Sequence, residues 1–252
     1  MKEILIKTER LSKSFSNGGA MQHVLKNIDL ELYKGDFTVI MGASGAGKST
    51  LLYALSGMDT PTLGKITFGK TVISDLDSDG LALFRKKHCG FVFQQIYLID
   101  SMSILDNVLA AGLLVSKDKK ALVARAEKLF AAVDIPGETI GKFPTQISGG
   151  EAQRAGIVRA LINSPEILFA DEPTGALNSR SGLDVLNTFT ECSRQGQSIV
   201  MVTHDMRSAL RGNRIVYLKD GIIMGECHLG EYCPNEEARH KKLSGFLTEM
   251  GW

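Results

Sequence analysis

The chain has 252 residues, 44% hydrophobic and 23% charged, which suits a globular protein built as one large domain or a domain with an inserted subdomain. A formal net charge of +1 excludes a global basic field aimed at nucleic acid and an acidic excess that would keep the chain disordered. Four scattered cysteines, Cys89, Cys192, Cys227 and Cys233, make a poor disulfide framework and fit a reducing cytosol; no stretch approaches the roughly eighteen apolar residues of a membrane span, and Met1 to Lys7 carry charges where a signal peptide needs an apolar run.

In chain order, Asn27, Asp29 and Glu31 alternate with Ile28, Leu30 and Leu32, which predicts a half-buried antiparallel strand. Residues 37–41, Phe-Thr-Val-Ile-Met, are continuously apolar or β-branched, like a central parallel strand. Gly42-Ala43-Ser44-Gly45-Ala46-Gly47-Lys48-Ser49-Thr50 follows at once, and a helix is expected from Ser49 to Ser56, stopped by Gly57. This is the phosphate-binding loop pattern in its proper strand–loop–helix context. Its glycines let successive backbone N–H groups converge on β- and γ-phosphates, Lys48 contacts phosphate oxygens, and the Ser49 hydroxyl ligates Mg²⁺. The bland alternative is a Gly-rich turn.

Pro61 and Gly64 mark a turn into a strand at 65–68. From about Gln95 to Pro165 the pattern becomes helical: Ile104 to Leu114, Asp118 to Val133 ended by Pro136, and a helix after Gly150. Lys86, Lys87 and His88 read as a solvated helix end, and Lys117, Lys119 and Lys120 as an exposed helix start. Strand-like runs return at 167–170, 198–202 and 215–218, with a helix near 181–193. Strands alternating with helices predict a mostly parallel sheet covered on both faces.

The strand at 167–170 delivers Asp171 and Glu172 to its C-terminal end, where open α/β sheets bind ligands. Adjacent strand residues point opposite ways, so Asp171 can enter a Mg²⁺ shell while Glu172 polarises an attacking water. Two ordinary surface acids are the alternative. Ser148-Gly149-Gly150-Glu151 reads as a Ser-capped helix start. In the tail, Leu243, Phe246, Leu247 and Met250 form one apolar stripe after Pro234-Asn235, docking either on their own domain or on a partner subunit. Cys227, His228, Cys233 and His240 lack the paired short spacing of a structural zinc site.

The phosphate-binding loop, Ser148-Gly149-Gly150-Glu151 about a hundred residues later, and Asp171-Glu172 in this order resemble the ATP-binding cassette (ABC) ATPase family over nearly the whole chain. The resemblance implies an α/β fold: a P-loop NTPase core with a mostly parallel sheet, an N-terminal antiparallel β subdomain and an inserted helical subdomain. It divides the 252 residues into a catalytic core at 1–94 and 166–225, a helical subdomain at 95–165 and a tail at 226–252. ATP and Mg²⁺ are the implied ligands. Ser148, Gly149 and Gly150 then contact ATP held by a second copy of the chain, placed head to tail. Gln94 matches the residue that reaches Mg²⁺ and water where the helical subdomain joins, and His204 the switch histidine at the γ-phosphate. Phe15 stands where the family stacks a ring on adenine, unless it is a core residue.

Three departures are visible: Glu151 and Ala152 in the signature, and Asn178 where Asp is frequent. Glu151 and residues 170–178 resemble the lipoprotein-release and macrolide-export class, and bacitracin-resistance-type peptide transporters. The implied function is the ATP-hydrolysing subunit of a membrane transporter, cytoplasmic and peripheral on the inner face of the cell membrane, driving an integral permease with no span or nucleic-acid contact of its own. An ATPase signalling through a membrane protein to cell-wall hydrolases is the other reading. Cassette proteins of DNA repair or translation usually carry a long coiled coil or two cassettes, and this sequence shows neither.

Overall fold

The computed structural model describes residues 2–18, 20–234 and 236–252, so Asn235 of the expected tail-helix start lies outside the described residues. The elements run β1 (Ile4–Asn17), β2 (Ala20–Tyr33), β3 (Phe37–Met41), α1 (Lys48–Leu55), β4 (Leu63–Phe68), β5 (Thr71–Val72), α2 (Ser78–His88) and β6 (Cys89–Phe93). Then come α3 (Ile104–Gly112), α4 (Lys119–Ala132), α5 (Gly149–Leu161), β7 (Ile167–Asp171), α6 (Ser179–Arg194), β8 (Ser198–Thr203), α7 (Met206–Ala209), β9 (Arg214–Lys219), β10 (Ile222–His228) and α8 (Glu237–Glu249). The chain divides into two compact units, Met1–Arg85 with Gly196–Trp252, and Lys86–Gln195.

The first unit holds an antiparallel sheet in the order β2-β1-β4-β5. Its β2 shows the expected alternation, with Ile28, Leu30 and Leu32 buried and Asn27 and Asp29 exposed. A mostly parallel set carries the binding loop: β3 lies between β8 and β9, parallel to both, and β10 returns antiparallel to β9. Both β3 and β8 are buried at every position, which explains their continuous apolar and β-branched runs. Met41 of β3 pairs with Thr203 of β8, so the two strands end together. β9 and β10 are joined by Asp220 and Gly221, at φ 50° and 78°, the left-handed pair a tight hairpin turn requires. On α8, Leu243 and Leu247 are buried, and Phe246 and Met250 lie against the Cα of Gly225; the tail stripe docks on its own unit.

In the second unit, β6 and β7 pair in parallel, and α3, α4 and α5 enclose an apolar core that includes Ile104, Val108, Phe130, Val158 and Ile162. A Cβ at Gly90 would stand 2.5 Å from Leu168 Cδ2 and 2.6 Å from the Ala160 carbonyl oxygen, so glycine is what lets α5 close on the β6–β7 pair. The unit therefore takes in β6, β7 and α6 besides the helical stretch at 95–165. Its helices start at side-chain caps, of which sequence reading names Ser148: Ser103 accepts from Asp106 N–H, Asp118 from Ala121 N–H, Ser148 from Glu151 N–H and Asn178 from Ser181 N–H.

Candidate functional site

Residues 42–50 leave the C-terminal end of β3 and enter α1. Gly45 and Gly47 take φ values of 80° and 99°, a left-handed path that closes the loop over the start of α1. Gly47, as N-cap, offers no side-chain acceptor to the helix start. Lys48, 8% exposed, folds its amine back to donate to the carbonyls of Gly42 at 2.9 Å and Ala43 at 3.0 Å. Positive potential at the helix start, glycines that bring backbone close, and a poised ammonium together suit a multiply charged anion. Ser44 and Gly45 are exposed at the rim, Ala46 is buried, and Ser49 and Thr50 are half-buried in the first turn.

The loop is braced from outside its own sequence. A Cβ at Gly42 would fall 2.1 Å from the Leu218 carbonyl oxygen of β9, and Gly221 N–H donates to the Ala46 carbonyl at 3.2 Å. Sequence reading missed this support by the β9–β10 turn; the Asp220-Gly221 pair between two apolar runs is the signal that could have found it. His204 follows β8 directly and is exposed, beside the strand that feeds the binding loop. Phe15 is 42% exposed with Lys13 Nζ 4.9 Å from its ring centroid, so it is a surface ring and not a core residue.

The second unit assembles the remaining residues. Phe93 pairs with Asp171, which puts Gln94 beside the carboxyl pair at the ends of adjacent strands. β7 stops at Asp171, and Glu172 turns into left-handed backbone at φ 46°, an unfavourable region for a non-glycine residue. Strand alternation therefore does not extend to Glu172, which lies in a turn closed by Gly175 N–H on the Glu172 carbonyl at 3.0 Å. A Cβ at Gly175 would stand 2.9 Å from Gln94 Nε2, so this turn packs directly on Gln94.

At the start of α5, Ser148 and Gly149 are exposed and Gly150 is buried against Ser181, whose Cβ would be 2.8 Å from an added methyl. Glu151 closes a capping box: its Oε2 accepts from Ser148 N–H at 2.8 Å and Ser148 Oγ–H at 2.7 Å. The Ser148 hydroxyl, then its amide, hold the Glu151 carboxyl below the usual carboxylate range. Two residues unnoticed in the sequence tie α5 to the segment around Gln94. Gln153, 1% exposed, donates to the Phe93 carbonyl at 2.9 Å, and Arg159 donates to the carbonyls of Tyr97 and Ile96. Their signal was a polar residue on the inward face of the signature helix. Among the described residues, no group of three or more His, Cys, Asp or Glu stands together as a metal site, and no helix is long and apolar enough to cross a membrane.

A family model described as ABC transporter matches residues 25–175. The chain belongs to the ABC transporter family. It is 42% identical over 223 residues to the macrolide export ATP-binding/permease protein MacB of Wolinella succinogenes, covering 88% of this chain and 34% of that protein. It is 40% identical over 220 residues to an uncharacterized ABC transporter ATP-binding protein, MJ1508 of Methanocaldococcus jannaschii, covering 87% of this chain and 98% of that one. The chain thus spans 34% of the MacB relative's length and nearly all of the other's. The ATP-binding cassette MJ0796, solved as a dimer in a post-hydrolysis state bound to ADP and Pi, superposes with a TM-score of 0.83 at 35% identity, over 90% of this chain and 100% of that one. The antiparallel N-terminal sheet and mostly parallel β9-β3-β8 set are those of an ABC cassette, ATPase is its enzyme class, and ATP with Mg²⁺ is the family's ligand.

Proposed function

We propose that this ABC cassette is the ATP-hydrolysing subunit of a membrane transporter, two copies closing head to tail around two ATP and driving an integral permease. The observation that carries the reading is a second exposed helix start: Ser148 and Gly149 lie exposed at the capped N-terminus of α5, in addition to the glycine loop at α1. One loop is enough to bind a nucleotide. In the head-to-tail reading the second helix start serves the nucleotide held by a second copy of the chain.

In this reading Lys48 and the amides of 42–50 hold the β- and γ-phosphates, Phe15 stacks on adenine, and Ser148 of the opposite copy completes the γ-phosphate site. Ser49, Gln94 and Asp171 hold Mg²⁺; a hydroxyl, an amide oxygen and a carboxylate are the hard oxygen donors this cation takes beside phosphate. Mg²⁺ supplies neutralisation of the phosphate charge that develops during transfer. Glu172 orients and polarises the attacking water, and His204 hydrogen-bonds the γ-phosphate. Closure is favoured by the difference in ATP affinity between closed and open pairs, and hydrolysis removes it.

For the cargo, Glu151 and residues 170–178, together with the identity to a protein named for macrolide export, support resistance to antimicrobial peptides or export of a peptide, lipid-linked or drug-like substrate. The working place is then the inner face of the cell membrane, against the permease. Glu172→Gln tests the machinery: with Mg·ATP it is expected to run as a stable dimer in size-exclusion chromatography while turnover drops by about a hundredfold or more. Turnover at the native rate would refute the role of Glu172, and a strictly monomeric, ATP-saturated variant would refute the paired site. Co-purification of a multi-span permease with the tagged chain tests the transport assignment.

A further inference from the structure

Beside the apolar stripe of α8, Arg239 on the same helix makes a polar contact of a different kind. It is a cation with 3% exposure, deeper than most polar groups of the chain. Its guanidinium donates to five backbone carbonyls: Leu210 at 2.7 Å, Leu229 at 3.0 Å, Gly230 at 3.1 Å, Glu231 at 3.0 Å, and Gly212. The ring of Tyr232 lies 5.6 Å from it and 4.4 Å from the Arg211 guanidinium. Taking a cation out of water costs several kcal/mol unless its donors are satisfied, and this one is satisfied by backbone carbonyls of two segments, 210–212 and 229–231.

The first of these segments, with Leu210 and Gly212, is the continuation of His204. Asp205 N–H donates to Thr203 Oγ1 at 3.0 Å, and its carboxylate caps α7 by accepting from Ser208 N–H at 2.9 Å and Ser208 Oγ–H at 2.8 Å. α7 is a single turn, too short to keep its own shape. It leads to Leu210 and Gly212, the two carbonyls that Arg239 grips, and then to Asn213, whose N–H donates to the Phe37 carbonyl at 2.9 Å. The segment 205–213 is thus tied to β8 at one end and to β3 at the other, and near its C-terminal end it is held by Arg239 of the tail helix.

We propose that Arg239 is a positioning residue for ATP hydrolysis: by holding the Leu210 and Gly212 carbonyls it sets the segment that follows His204, and so makes turnover depend on how α8 is seated. The inference rests on the reading of His204 as the γ-phosphate contact and adds the device that keeps it in place. Lysine keeps the charge but cannot span five carbonyls in a fixed fork, so Arg239→Lys is the informative change.

In the full-length chain, Arg239→Lys is expected to lower kcat by about tenfold while KM for ATP stays within about twofold, and to speed amide hydrogen exchange at residues 208–212. Combined with His204→Ala, it is expected to cause no further loss, because the two act through one contact. Leu247→Ala, which loosens α8 and leaves Arg239 in the chain, is expected to give the same kcat-only loss and covers the case in which Arg239→Lys fails to fold. An unchanged kcat, a loss expressed in KM alone, or equal losses with and without His204 would each overturn the proposal. If His204→Ala by itself keeps full activity, the reading of His204 fails; if it loses activity while Arg239→Lys and Leu247→Ala do not, only the present inference fails.

Discussion

Glu151, spelled differently here from the commonest form of the signature, has a concrete local job. One of its carboxylate oxygens accepts both the amide and the hydroxyl of Ser148, closing the N-terminus of α5. These two hydrogen bonds lower its pKa in the folded chain, with burial acting in the opposite sense. A depressed carboxylate contributes stability that is fully present above its ordinary unfolded value and is lost as pH falls through the folded one. Glu151→Ala should therefore cost about 1 kcal/mol at neutral pH, and the gap between wild type and variant should shrink as the solution is acidified below about pH 4.5. Thermal unfolding of both proteins across that range measures it. A gap that stays constant with pH would mean that the carboxylate's charge is not what holds the cap. Phe15 and Glu172 show what a single residue's letter leaves open: exposure of the first and the left-handed φ of the second came from the folded chain.

At the scale of elements, helix starts are local features, although Ser148 is the one cap that sequence reading names. Ser103, Asp118, Ser148 and Asn178 are small polar residues followed by apolar periodicity, and each accepts the N–H three residues on, because that bond is made within one turn and needs nothing distant. Asn178 caps α6 through Ser181 N–H at 2.9 Å, as an aspartate would, but without its charge. Asn178→Asp is expected to keep the cap and add up to about 1 kcal/mol from the helix dipole, whereas Asn178→Ala should lose about 1 kcal/mol. Urea unfolding separates the two; an alanine variant as stable as wild type would dismiss the cap. Strands were less legible. β1 carries charges through a long, bulged hairpin, and β6 is only five residues long, so neither shows a clean period of two.

At the scale of the whole molecule the proposed machine is a pair, and it can be tested by complementation. A chain with Lys48→Ala lacks its loop half-site, and a chain with Ser148→Arg lacks its signature half-site. In a head-to-tail pair of the two, one site keeps both intact halves. Each variant alone should stay monomeric with Mg·ATP in a Glu172→Gln background, and an equimolar mixture should dimerise, as light scattering would show. Dimers of either variant alone would contradict a composite site.

Contiguous motifs were within reach of the sequence alone. The glycine loop, the signature start and the Asp171-Glu172 pair are each confined to a few adjacent residues, so their chemistry follows from spacing and turn geometry. What the tertiary structure decided are the supports. Gly221 bracing Ala46, Gln153 and Arg159 holding the carbonyls around Gln94, and Arg239 gripping the loop after His204 all join segments far apart in the chain. A buried arginine satisfied by backbone carbonyls has the same letter and the same helical spacing as a solvated one, and only packing distinguishes them.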